Sequence, residues 1–364
     1  MNKIIRSMSD LETVLSNGDA PISSTPTYFA ETNNPDQVSI IAGASDTFDF
    51  DLEKEPDNRW IAQVSERFND RSKLRYRTGV ELLELKQRFE EAGFKNFYFL
   101  PAEVQGTISW IFINNAMSAG FNSEGKPLLY FGKMKNLCRL PEPALVEYYL
   151  RSHPKNPVEG FVFGHATIHT MEGKGDQLPM SLPLIKDGKQ SRDEFYHIVI
   201  NCSGRRTHPL ALEEFAQASG NLVIEIPLSD DPVTGAYHGN VAIMYYQDKN
   251  SNRGVVYVPD MLREDKRDFV YEMFKTFFGQ DQIHRITSSM PELYKESIEL
   301  LSMNGISVGK GRMISSKNNI QTNEFLREVI GLDILEVDMQ AISLGGGGLQ
   351  CCYTALNRNP LILK

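Results

Sequence analysis

The sequence predicts an α/β protein built from repeated strand–helix–strand units, and three observations carry that expectation. Short β-rich runs alternate with amphipathic helical segments from residue 37 onward. Several helical segments close on a glycine, as in GVELLELKQRFEEAG, HPLALEEFAQASG and DKRDFVYEMFKTFFG. The alternation recurs about five times, a pseudo-symmetric repetition. Periodicity alone leaves a doubly wound sheet and a ring of repeats equally open.

In chain order, residues 1–36 are rich in Ser, Thr, Asn and Pro and are expected to form an N-terminal extension or cap, with 37–364 a single domain. Gln37–Gly43 reads as a strand, Gly79–Gly93 as a helix and FYFLP as a strand. SWIFINN and PLLYFG read as a strand pair, Pro143–Ser152 as a helix and GFVFG as a strand. EFYHIVINCSG contains a strand, HPLALEEFAQASG is a helix and NLVIEIPL a strand. AYHGNVAIMYY and GVVYVP read as strands, and DKRDFVYEMFKTFFG and PELYKESIELLSMNG as helices. The closing ISLGGGGLQCCYTAL reads as a Gly-rich turn entering a strand.

The 364 residues, 41% hydrophobic and 23% charged, suit an ordinary globular protein whose core needs no metal or disulfide staple. A net charge of −9 argues against nucleic acid or an anionic membrane as the partner. No apolar run approaches the roughly 20 residues of a membrane span, and no signal peptide is expected. Cys138, Cys202, Cys351 and Cys352 form no CxxC pair, so reduced thiols, a cytoplasmic location and no metal or organic cofactor are expected.

Four local features can carry chemistry. LGGGGLQCC, Leu344 to Cys352, brings a potential thiolate nucleophile up to a turn whose backbone can approach a ligand. YHGN offers His238 as a proton shuttle. MEGKGD sets Glu172 and Asp176 on a sharp turn, where a carboxylate can pair with a guanidinium fork. SGRRT offers Arg205 and Arg206 for a substrate carboxylate. Each has a plain structural reading too: a buried cysteine, a core histidine, a solvated turn, a surface arginine pair.

Their order of acid, arginine, histidine and C-terminal cysteine resembles the guanidino-group-modifying (pentein) superfamily. It is similar to arginine deiminases, arginine dihydrolases and dimethylarginine dimethylaminohydrolases. The matching residues are Glu172-Gly173-Lys174-Gly175-Asp176, Gly204-Arg205-Arg206-Thr207, His238 and Gly345 to Cys351, with Phe112-Ile113-Asn114-Asn115-Ala116 upstream. The resemblance implies a five-bladed α/β propeller of ββαβ units and a small cationic guanidino substrate. Cys351 would be the nucleophile, His238 the acid–base and Glu172 the guanidinium holder. Asn115, Arg206, Asn240 and Asp176 would bind substrate, Arg206 through its α-carboxylate. Cys351 is preferred to Cys352 because the dimethylarginine enzymes end in a similar T-C-C with the first cysteine reactive. Neighbours on an entering strand also face opposite sides. Nucleic acid and membrane are not expected as partners; a homo-oligomer is left open.

Asn115 and Asn240 stand where arginine deiminases carry Asp. A neutral amide holds a cation less tightly but both donates and accepts hydrogen bonds, so it tolerates a ureido group. The expectation therefore leans to a dihydrolase, which takes arginine to ornithine, ammonia and carbon dioxide, over a deiminase, which stops at citrulline. An amidinotransferase and a non-catalytic pentein binding protein are the alternatives.

Overall fold

The computed structural model describes residues 3–27, 35–46, 70–101 and 110–364; the rest of the expected N-terminal cap, residues 1–2 and 28–34, lies outside the described residues. The fold is mixed α/β, and one pattern recurs in five sheets. In each, a first strand pairs antiparallel with a second, and the second pairs parallel with a third. The first sheet joins Tyr353–Asn357 to Val38–Ala42 and that to Asn96–Phe99. The second holds Met117–Phe121, Pro127–Phe131 and Val162–His165. The third holds Gln177–Leu178, Ile198–Ser203 and Leu222–Pro227. The fourth is Ile243–Gln247, Arg253–Tyr257 and Ile283–Arg285. The fifth is Ile306–Gly309, Arg312–Ser316 and Asp333–Val337.

A parallel pair needs a crossover, and a helix supplies it each time. The crossovers are Arg71–Glu91, Glu142–Ser152, Pro209–Ser219, Arg267–Phe278 and the segment from Ile320 to Ile330. The fourth illustrates why these residues fold this way. Arg267–Phe278 buries Phe269, Val270, Met273, Phe274, Phe277 and Phe278, an apolar stripe at helical spacing turned to the core. Chain ends meet in the first sheet, where the last strand pairs with the first strand after the N-terminal segment, Tyr353 opposite Ala42 and Asn357 opposite Val38.

The N-terminal segment is knitted into this frame. Ile4–Ile5 adds a parallel strand beside Val223 and Ile224. Arg6 Nε reaches Glu225 Oε2 at 2.6 Å. Ser7 caps the helix Met8–Ser16 by accepting from the Asp10 amide, and Leu11 and Val14 enter the main core. Ile22–Ser23 pairs with Lys189–Tyr196, which pairs in turn with Leu182–Lys186.

Three expected elements come out differently. The described part of SWIFINN, residues 110–115, is not a strand: Ile113–Asn115 is one 3-10 turn and the strand begins at Met117, while Ser109 lies outside the described residues. A strand would send Asn114 and Asn115 to opposite faces, whereas the turn buries both. His238 likewise precedes a single 3-10 turn, Gly239–Val241, and the strand starts only at Ile243. The helix at PELYKESIELLSMNG ends at Glu299, and a separate turn covers Ser302–Asn304.

Leu11 lies fully within the main core, so Leu11→Ala is expected to destabilise the whole protein by about 2–5 kcal/mol. Urea unfolding measures this; a change below about 0.5 kcal/mol would mark the segment as an appendage.

Candidate active site

Five short turns build the site, one leading into the first strand of each sheet. They are Ile113–Asn115, Gly173–Asp176, Gly239–Val241, Ser302–Asn304 and Leu349–Cys352. Each occupies the same place in its repeat, so residues distant in sequence converge. Phe112, Asn115, Arg139, Arg206, Tyr237, His238, Gly346, Gly347 and Cys351 line one small cavity enclosing about 250 Å³.

At its centre is His238, fully buried. Its Nδ1 lies 3.1 Å from Asp176 Oδ2, and its Nε2 lies 3.2 Å from Glu172 Oε2 and 3.3 Å from Asn115 Nδ2. Burial alone would depress the imidazole pKa, but the two carboxylates outweigh it and raise the value above the ordinary 6.5. An anion faces each ring nitrogen, an arrangement that favours the protonated ring over the neutral one.

Both carboxylates are themselves fixed. Asp176 also accepts from the Thr207 hydroxyl at 2.6 Å and the Gly239 amide at 3.0 Å. Glu172 accepts from the Lys135 amide at 3.0 Å and faces Arg206 Nη1 at 3.3 Å. Burial works against its ionisation, yet Arg206, His238 and Arg139 hold its pKa far below the ordinary carboxylate range. Gly175 is what lets the turn sit so close: a Cβ there would stand 2.8 Å from His238 Nδ1.

Cys351 closes the turn before the last strand. Its Sγ lies 3.9 Å from Asn240 Nδ2 and 3.9 Å from Asn304 Oδ1. Burial pushes its thiol pKa up, opposed by the turn's backbone, Asn240, Arg139 and Asn304. Cys352 points elsewhere, to the Gly348 carbonyl at 3.4 Å, and is absent from the cavity wall. The glycine run has a steric cause. A Cβ at Gly347 would stand 2.2 Å from the Phe112 ring, and one at Gly348 would stand 2.5 Å from Asn304 Oδ1.

The expected site residues thus come together, with two placed differently from their expected tasks. Arg206, expected to hold a substrate carboxylate, pairs with Glu172. Asp176, expected to bind substrate, holds His238. Sequence reasoning missed three others. Asn304 accepts from the Gln350 amide at 2.7 Å and donates to the Asn240 carbonyl at 3.0 Å. Its signal was present: Asn304-Gly305-Ile306 repeats the small step of Asn115-Ala116-Met117 from asparagine into strand. Arg139 is buried against Glu142, with Nη2 to Oε2 at 2.8 Å. Glu81 accepts from the Ala341 and Ile342 amides at 2.9 and 3.0 Å and so anchors the start of the segment that runs to Cys351.

No family model matches the chain, and no curated protein matches it by sequence. Solved structures do. The N-terminal domain of ArgZ, an arginine dihydrolase of the ornithine–ammonia cycle in cyanobacteria, bound to product, superposes with a TM-score of 0.64 at 14% identity. It covers 88% of this chain and 97% of that one. AgrE, in a ternary complex with ornithine and NAD+, gives 0.64 at 14% identity, over 90% of this chain and 40% of that one. A dimethylarginine dimethylaminohydrolase adduct with S-methyl-L-thiocitrulline gives 0.55 at 13%, over 87% and 99%. These are members of the pentein superfamily, and the mixed α/β fold is shared with them.

Asp176→Asn is expected to lower the His238 pKa, read by NMR titration of its imidazole. An unchanged value would remove Asp176 as its partner. Because the folded-state pKa lies above 6.5, the stabilisation from His238 is complete below about 6.5 and is lost as pH rises through the folded value. The lead in Tm of the native protein over His238→Asn should therefore shrink as pH rises.

Proposed function

We propose that this chain is a cysteine-dependent hydrolase acting on the guanidinium carbon of arginine or an arginine derivative, with the five sheets standing as blades around a pseudo-fivefold axis. The observation that carries the reading is the joint presence on one cavity wall of Cys351, the carboxylate-flanked His238 and Asn115. The side-chain oxygens of Asn115 and of Asn240 beside Cys351 are buried without a hydrogen-bond partner among the described residues. Buried acceptors left open call for a ligand rich in N–H donors, and guanidino and ureido groups are such ligands.

The chemistry follows from the charges. A guanidinium entering the cavity adds the cation that a buried thiolate lacks, so Cys351 releases its proton to solvent and Sγ attacks the guanidinium carbon. The His238 imidazolium protonates the departing nitrogen, ammonia leaves and a covalent thiouronium remains. Neutral His238 then takes a proton from water, whose oxygen adds to the same carbon. Collapse expels the Cys351 thiolate and gives the ureido product.

The neutral amides of Asn115 and Asn240 favour retention of that product for a second round. A second water supplies its oxygen to the ureido carbon, a second ammonia leaves, and the resulting carbamate falls to ornithine and carbon dioxide. The structural likeness to ArgZ, an arginine dihydrolase, supports this branch. Arg206 anchors the substrate α-carboxylate once the guanidinium has taken its place on Glu172.

Incubation with arginine, methylated arginines, agmatine and citrulline, followed by mass spectrometry, tests the reading. Ornithine with two ammonia per arginine is expected, and none from Cys351→Ala. Asn115→Asp should shift the output toward citrulline, because a charged acceptor favours the cationic over the neutral group. Citrulline alone from the native chain would make it a deiminase. Absence of both turnover and Cys351 labelling by a haloacetamidine would favour a binding protein.

A further inference from the structure

Asn304 touches the Cys351 sulfur yet is absent from the cavity wall. It is 3% exposed, and its side chain spans two of the site's turns. Oδ1 accepts from the amide of Gln350, one residue before Cys351, at 2.7 Å. Nδ2 donates to the carbonyl of Asn240, two residues after His238, at 3.0 Å. Gln350 returns the contact, its Nε2 donating to the Gly305 carbonyl at 2.6 Å. Three hydrogen bonds therefore join the turn that carries Cys351 to the turn Ser302–Asn304 and, through it, to the turn that follows His238.

The two backbone partners fix which way the amide faces. An N–H can only donate and a carbonyl can only accept, so a flipped side chain would lose both bonds. Oδ1 therefore faces the sulfur at 3.9 Å, while Asn240 Nδ2 stands 3.9 Å from the same atom. The chain bends to bring Asn304 here. Leu301, just before the turn, is buried with φ +55° and ψ +37°, the left-handed region that a leucine seldom occupies. The repeat points the same way. Asn304 stands two residues before its strand, the place Asn115 holds before Met117. Asn115 meets the imidazole, and Asn304 meets the thiol.

We propose that Asn304 is a positioning residue for the reaction: by pinning the Gln350 amide to the Asn240 backbone, it holds the Cys351 sulfur in register with His238. This rests on the reading of Cys351 as the nucleophile. Because Asn304 does not line the cavity, it takes no part in holding the substrate. Its loss should slow attack by the sulfur and leave binding nearly unchanged, since a misplaced nucleophile costs rate rather than affinity.

Labelling of the full-length chain by 2-chloroacetamidine, followed by mass spectrometry of the Cys351 peptide, tests this. Asn304→Ala should label at least about tenfold more slowly than the native chain, with the half-saturating reagent concentration within about threefold. Hydrogen exchange at the Gln350 amide should be faster in the same variant. Where Asn304→Ala does not fold, Asn304→Ser, whose hydroxyl is too short to span both partners, should show the same loss. Leu11→Ala, weakened in the core with Asn304 intact, should label at the native rate. An equal loss in Leu11→Ala would reduce the effect to general stability and overturn the proposal. Native-rate labelling of the Asn304 variant, or a change confined to the half-saturating concentration, would overturn it while leaving the hydrolase reading standing. A native chain whose Cys351 resists the reagent would overturn that reading, and the proposal with it.

Discussion

A charge can be buried only where another charge answers it, and the centre of this molecule is arranged around that constraint. His238, Arg206 and Arg139 are cations and Glu172, Asp176 and Glu142 are anions, all within the buried interior. With the imidazole protonated these six groups pair three against three, and Arg139 is the cation among them that also lowers the Cys351 pKa. That balance explains why burial dominates at Cys351 and keeps its thiol protonated. An additional cation in the cavity is what the thiol lacks, and the proposed substrate carries one.

The balance in turn depends on repetition. Five turns, one before the first strand of each of the five alike sheets among the described residues, deliver Asn115, Glu172 with Asp176, His238 with Asn240, Asn304, and Cys351. A turn rather than a strand is needed at each place, because a strand alternates its side chains between faces. Convergence also forces close backbone approach. Glycine stands where two turns meet: Gly348 against Asn304, and Gly175 against His238.

The strands and helices were legible because their apolar periodicity is local, as in Arg267–Phe278 or Leu222–Pro227. Of the five site turns, those of MEGKGD and LGGGGLQCC were marked by their glycines, whereas the three-residue turns were not legible, since three residues carry no period. INN and HGN were therefore absorbed into the strands that follow them. Partners across space were the other loss. Nothing near Arg206 in sequence announces that Glu172 will face it, and Arg139 sits in an unremarkable KNLCR stretch. The N-terminal segment read as a loose cap because its composition is polar; within its described residues Ile4, Ile5, Leu11 and Val14 are buried. Motif order was readable where motif task was not: Asp176 was visible as a conspicuous acid, but its bond to His238 is a tertiary fact.

The pairing of Arg206 with Glu172 bears on what the proposed substrate must be. A guanidinium that displaced Arg206 from Glu172 would take a carboxylate partner away from a buried arginine, which costs free energy. A molecule carrying both a guanidinium and a carboxylate can take both places at once, and the count of buried charges stays balanced. On the proposed reading this favours arginine over agmatine, which has no carboxylate. The neutral ureido product keeps the carboxylate for Arg206 but brings no cation to Glu172, so the open amide oxygens of Asn115 and Asn240 become the contacts that retain it. The same two asparagines that weaken the hold on a cation are thus the residues on which a second hydrolysis would depend.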